Sequence, residues 1–174
     1  MLVYFLTPAQ SVAGSVSGDS ARLFYNEANS PKTNRFLKKK LAMIKVLEKY
    51  NSPLLESVNS FLTVCQSYEL DCYLLPSIAG LESSFGKHVL AGSNNPFGWG
   101  NGYIMFDNWE HAIGTVGKGL RENYINKGAD SVDEIAPIYA ESKTWAPRVN
   151  HFKTQFEEEE RKIDFILSEN TVKL

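Results

Sequence analysis

Apolar residues recur at intervals of three and four along most of this chain, and the phase changes at breaks rich in Gly, Pro or polar residues. A succession of amphipathic helices is therefore predicted. In RFLKKKLAMIKVLEKY, residues 35–50, Phe36, Leu37, Leu41, Ile44 and Leu47 share one side, while Lys38, Lys39, Lys45 and Lys49 lie largely on the other as a solvated face. A second helix is expected at SPLLESVNSFLTVCQSY, with Ser52 as cap, Pro53 at the first helical position and Glu56 near the first turn. A third follows Asp71. In FDNWEHAIGTVGKGLRENYI, Trp109, Ile113, Val116 and Leu120 form the stripe, and Asp107 with Glu110 reads as a capping box. Ser131 and Glu134 repeat that device before IAPIYA, where Pro137 has to kink or shorten the helix. The last helix is expected from Pro147 to Leu167. Val149, Phe152, Phe156, Ile163 and Ile166 would face the core, and Glu157 to Glu160 would form a solvated stripe, since four consecutive carboxylates on a helix diverge and make a poor metal cage.

Between Gly14 and Thr33 the periodicity stops and Ser, Gly, Asn and Ala dominate, as in a flexible linker. The expected organisation is a leader remnant and linker over residues 1–33 and one mainly helical domain over 34–174. A chain of 174 residues with 43% apolar content can bury one proper core. Eighteen basic residues against twenty acidic ones give a net charge of −2, which lacks the basic footprint of a phosphate-backbone binder, so no nucleic acid partner is expected. No apolar run approaches membrane-spanning length. The opening MLVYFLTPAQSVA reads like the tail of a secretory leader, with an apolar stretch from Leu2 to Leu6 and a small-x-small site at Ser11-Val12-Ala13, but without the positively charged start.

Several sharp motifs are missing. His88, His111 and His151 are too far apart for a metal-binding helix, and neither Cys-x-x-Cys nor His-Glu-x-x-His spacing occurs, so zinc is not expected. GWGNG and VGKGL lack the dinucleotide fingerprint and the phosphate-loop ending, and no Gly-x-Ser-x-Gly elbow is present. What stands out is Glu82. Leu75, Ile78, Glu82 and Phe85 follow at steps of three and four, which sets the carboxylate in the apolar stripe, facing inward or into a cleft. Desolvation there would raise its pKa, the condition for a general acid near neutral pH. A Glu paired within the fold to Arg121, Arg148 or a backbone donor is the structural alternative. The following GSNNPFGWGNG combines amides and backbone groups with the flat surfaces of Phe97 and Trp99, a mixture suited to a sugar-binding cleft.

LLPSIAGLESSFGKHVLAGSNNPFGWG resembles the bacterial glucosaminidase family of peptidoglycan hydrolases, lysozyme-like proteins whose usual pattern is a helix ending Glu-Ser-x-Phe-Gly and then Asn-Leu-Phe-Gly. The likeness continues in family order through FDNWEHAI and YAESKTWA, over roughly residues 50 to 155. It implies a lysozyme-like helical domain with at most a very small β-hairpin. It also implies Glu82 as catalytic acid, Tyr139 lining the site near the scissile sugar, and a substrate-binding set of Ser84, Asn95, Phe97, Gly98, Trp99, Glu141 and Trp145. Trp145 stands where the family usually has a second tyrosine, Pro96 where it has Leu, and Ser142 where it has Asp. The family commonly carries a second carboxylate on the hairpin, whereas WGNGYIMF has none; Glu141 is the nearest unassigned candidate and Asp107 a weaker one.

The expected activity is cleavage of peptidoglycan glycan strands at N-acetylglucosamine by a monomer, without metal or organic cofactor. A lytic transglycosylase and a non-catalytic glycan-binding module are the alternatives. Export to a periplasmic, cell-wall or secreted location, with a membrane tether if the leader is retained, accords with Cys65 and Cys72, the only two cysteines. In one unbroken helix their α-carbons would stand about 10 Å apart, too far to bridge. A disulfide is expected if the helix breaks at Glu69-Leu70-Asp71; two small core residues are the alternative.

Overall fold

The computed structural model describes residues 31–169, and those from Arg35 onward belong to one compact unit. Among the described residues there are six α-helices: α1 (Pro31–Lys49), α2 (Val58–Ser67), α3 (Leu74–Ser83), α4 (Trp109–Asn123), α5 (Val132–Tyr139) and α6 (Trp145–Glu169). Short 3-10 helices at Pro53–Ser57 and Ile125–Lys127 lead into α2 and follow α4. No strand occurs among the described residues, so the mainly helical class holds and turns occupy the place of the small hairpin. The leader-and-linker reading lies outside the described residues as far as position 30. Residues 31–33 are already part of α1, ahead of the expected boundary at 34.

α3 forms the centre. Leu74, Leu75, Pro76, Ser77, Ile78, Ala79 and Gly80 are all buried, as a helix apolar on every side requires. α6 packs on α3 and α5, while α2 packs on α4. Two glycines of α4 allow close approach where a larger residue would clash: a Cβ at Gly117 would stand 2.2 Å from Val64 of α2, and one at Gly119 would stand 2.2 Å from the Trp99 ring. The glycines of VGKGL are seats for neighbouring side chains.

The caps follow the local chemistry, with two corrections. Ser131 and Glu134 form the expected box, Glu134 N–H donating to Ser131 Oγ at 3.3 Å and Ser131 N–H to Glu134 Oε2 at 2.9 Å. The Ser131 hydroxyl, donating to Glu134 Oε2 at 2.8 Å, and then the Ser131 and Asp130 N–H groups hold the Glu134 carboxyl below its ordinary pKa. α5 accommodates Pro137 by ending two residues later. Ser52 accepts from Leu54 N–H as a cap should, but the turn it starts is 3-10 before it becomes helical at Val58. α4 begins one residue later than expected, because Asn108 accepts the His111 N–H at 2.7 Å; Asp107 contacts the His111 ring instead, and Glu110 accepts from Ser57 Oγ at 2.8 Å.

Two helix faces also differ from the expected stripes. On α1 the buried residues are Ala42, Met43, Val46 and Leu47, and Leu37 is exposed. Lys39 leaves the solvated face: its Nζ lies 4.4 Å above the Tyr73 ring and pairs with Glu160 at 3.0 Å. Glu160 in turn accepts the Tyr73 hydroxyl at 2.7 Å, so it is not part of a solvated stripe. Burial and this carboxylate drive the Tyr73 hydroxyl far above its ordinary pKa. At the other end of α6, Ile166 is exposed and only Val149 and Phe156 of the expected set are fully inside.

α2 ends at Ser67, and Glu69 takes a left-handed φ of 50° that reverses the chain. Cys65 and Cys72 are thereby brought to a Cα separation of 4.9 Å and form a disulfide. Asp71 accepts the Tyr73 N–H at 2.9 Å just ahead of α3, the break anticipated from Glu69-Leu70-Asp71. No helix among the described residues is long and apolar enough to cross a membrane.

Candidate functional site

Glu82 occupies the last turn of α3, and the backbone beyond it is strained. Ser84, Phe85 and Gly86 adopt φ of 51°, 61° and 84°, a left-handed run that is costly for a residue as bulky as Phe. Its neighbours hold it there. Phe85 N–H donates to Ala79 C=O at 2.9 Å, Ser52 Oγ donates to Phe85 C=O at 2.8 Å, and the ring packs 4.5 Å from Tyr50 and 5.1 Å from Phe152. Ser83 clasps the same corner to the next loop. Its hydroxyl donates to Pro96 C=O at 2.8 Å and accepts from Gly86 N–H at 2.8 Å.

The loop from Ser93 to Phe106 is ordered by Asn95, which is buried and fully engaged. Its amide nitrogen donates to Trp99 C=O at 2.8 Å and to Ile104 C=O at 3.1 Å, and its oxygen accepts from Trp99 N–H at 3.2 Å. Asn95 therefore organises the loop rather than presenting its amide outward. Phe97 is buried in the core, and Trp99 lies across Gly119.

These two segments, with the end of α5 and the start of α6, bring Glu82, Gly98, Trp99, Tyr139 and Trp145 together. Trp145 Nε1–H donates to Glu82 Oε1 at 2.8 Å. The other oxygen, Oε2, faces Gly98, where a Cβ would stand 3.4 Å away. Gly98 also has a φ of 67°, so the position calls for glycine on both grounds. The Tyr139 ring packs tilted against Trp145, centroids 4.8 Å apart, and its hydroxyl accepts from Trp99 Nε1–H at 3.1 Å and donates to Phe97 C=O at 3.2 Å. Burial first, and then the Glu82 charge, push the Tyr139 hydroxyl far above its ordinary pKa, so it stays a neutral donor.

Glu82 itself is exposed, which corrects the expectation of a desolvated carboxylate on the apolar stripe. It stands where two depressions meet. One, of about 570 Å³, runs past His88, Leu90 and Tyr103; the other, of about 470 Å³, runs past Phe97, Trp99, Tyr124 and Tyr139; Glu82, Gly98 and Asn101 line both. Among the described residues, Glu82 is the one carboxylate lining either depression. Glu141 lies instead in a separate hollow with Asp133, Pro137 and Lys143. Asp107 is engaged with His111. Neither joins Glu82 in the cleft, and neither Arg121 nor Arg148 pairs with it: Arg121 binds Glu69 at 2.8 Å.

Ser84 takes the left-handed cap position of α3 and lines neither depression; the serine that shapes the site is Ser83, the one matching the Ser of Glu-Ser-x-Phe-Gly. Trp145, expected to bind substrate, is buried with its N–H spent on Glu82. Tyr124, His88, Asn101 and Tyr103 line the cleft without having been anticipated; the aromatic and polar loop composition was the available signal for Asn101 and Tyr103, and nothing local marks Tyr124. Among the described residues, no group of three or more His, Cys, Asp or Glu is placed to hold a metal ion. No protein-family model matches the chain, and no curated protein matches it.

Proposed function

We propose that this protein is an exported glycoside hydrolase that cleaves peptidoglycan glycan strands on the reducing side of N-acetylglucosamine, with Glu82 as general acid. The observation that carries the reading is the state of the Glu82 carboxylate: one oxygen is held by Trp145 and the other faces Gly98 at the junction of two depressions. A fixed carboxyl with one open oxygen can pass its proton to a glycosidic oxygen lying across that junction. The resemblance of residues 50–155 to bacterial glucosaminidases supports the choice of substrate, and the Cys65–Cys72 disulfide accords with an oxidising compartment.

With no second carboxylate lining the cleft among the described residues, the substrate's own acetamide completes the reaction. Its carbonyl oxygen bonds to C1 as the C1–O bond to the leaving sugar breaks and Glu82 protonates that leaving oxygen. Water then opens the cyclic intermediate, adding oxygen to C1 and returning a proton to Glu82, a known departure from the two-carboxylate scheme. The neutral Tyr139 hydroxyl and the Trp99 ring supply a wall for the sugar beside Phe97 and Gly98.

The lone carboxylate also favours a second reading, a lytic transglycosylase in which the sugar's 6-hydroxyl replaces water and Glu82 serves as acid and then base. Borohydride reduction of a peptidoglycan digest followed by mass spectrometry separates the two. Reduced glucosamine ends are expected; anhydro-muramic ends would establish the second reading, and reduced muramic ends would overturn the assigned bond.

A further inference from the structure

We propose that the arm of the cleft on the His88 side is a pyranose-binding subsite whose platform is the ring of Tyr103, an inference that rests on reading the Glu82 cleft as a glycan site. Tyr103 is 75% exposed, the most exposed of the large apolar and aromatic side chains among the described residues. It lines the 570 Å³ depression with Glu82 at one edge and His88, Leu90 and Asn101 around it. That size is typical of small-molecule clefts, and the lining mixes one aromatic face and an aliphatic wall with polar groups. A pyranose has the matching chemistry, an apolar C–H face and a rim of hydroxyls.

The backbone argues that this exposure is built in. Gly98, Gly100, Asn101 and Gly102 all have left-handed φ, between 56° and 81°, and Asn101 is not glycine. The tip is tied down by Gly102 N–H to Gly98 C=O and Tyr103 N–H to Gly100 C=O, both at 3.0 Å, with Asn95 gripping Trp99 and Ile104 on either side. A pinned turn thus sets an aromatic ring at the rim of the cleft. Among the described residues Tyr103 makes no aromatic ring contact and no side-chain hydrogen bond. A rigid aromatic with few rotatable bonds loses little entropy on stacking, which is what a binding platform requires.

The test is a calorimetric titration of β-1,4-linked N-acetylglucosamine tetramer into the full chain carrying Glu82→Gln, which separates binding from turnover. Tyr103→Ala in that background should weaken the dissociation constant about tenfold, while Tyr103→Phe and Tyr103→Trp should remain within about twofold of the parent. The melting temperature should not move. Unchanged affinity in Tyr103→Ala overturns the platform and leaves the glycan reading standing, as does equal loss in Tyr103→Phe and Tyr103→Ala. If the Glu82→Gln parent binds no tetramer, the subsite is overturned; whether the hydrolase reading falls with it is read separately, from the activity of the wild-type chain on peptidoglycan.

Discussion

Trp145 and Glu82 are 63 positions apart in the chain and share a hydrogen bond of 2.8 Å that joins the start of α6 to the end of α3. The bond selects which carboxylate oxygen faces the cleft. Because α6 packs along α3, the two ends are held by the same core that holds Phe85, and the carboxylate inherits that rigidity.

Trp145→Phe keeps an aromatic ring against Tyr139 but removes the indole N–H. Stability should fall by about 1–2 kcal/mol, for a partly unfilled buried site and one lost hydrogen bond. The turnover number should fall by roughly tenfold or more with little change in KM, since the loss is in orientation of the acid. Steady-state kinetics beside a thermal melt reads both. Equal effects on a soluble glycan's affinity and its turnover would make Trp145 a substrate contact instead.

Gly98→Ala places a methyl 3.4 Å from Glu82 Oε2 at a φ of 67°. The left-handed conformation alone costs about 1–2 kcal/mol for a residue with a Cβ. The methyl also narrows the space where the leaving oxygen must approach. Activity should fall well beyond what the change in melting temperature explains; retention of full activity would show that Oε2 is not the oxygen that acts.

Much of this arrangement was legible, and the exceptions have physical causes. The Ser131–Glu134 box and the Cys65–Cys72 pairing were readable because every group involved is local: a cap spans three residues, and the break at Glu69 lies between the two sulfurs. The cap sits at Asn108 and not at the expected Asp107: both residue types are competent and adjacent, and only the backbone decides between them. The sequence left Glu82 facing inward or into a cleft and could not choose between them because α3 is apolar on all sides; the cleft is the outcome. The periodicity of α3 therefore carries no information about which face is inside, and Glu82 is exposed although Ser83 and Phe85 beyond it are buried. The α1 stripe was misphased at Leu37 by the neighbouring lysines, one of which, Lys39, turns inward to Tyr73 and Glu160. The bond from Trp145 to Glu82 has no local signature at all.

Reduction of the Cys65–Cys72 disulfide reopens a loop with a sequence separation of 7. A closure this short is worth about 2–3 kcal/mol by chain entropy, which for a domain of this size is roughly 5–10 °C in melting temperature. Scanning calorimetry with and without reductant measures it. The Cys65→Ala/Cys72→Ala variant should match the reduced protein; no shift in either would mean that α2 and α3 are held in place without the bridge.

In the proposed reaction Glu82 delivers the proton that breaks the glycosidic bond, and the release of soluble fragments from purified peptidoglycan by the wild-type chain and by Glu82→Gln measures that role directly. The amide keeps the shape of the side chain and its oxygen can still accept from Trp145, so the fold and its melting temperature should be retained. It has no proton to give at the leaving oxygen, so fragment release should fall by at least 100-fold, within the range that general acid catalysis supplies. Fragment release at the wild-type rate by a folded Glu82→Gln protein would contradict the account.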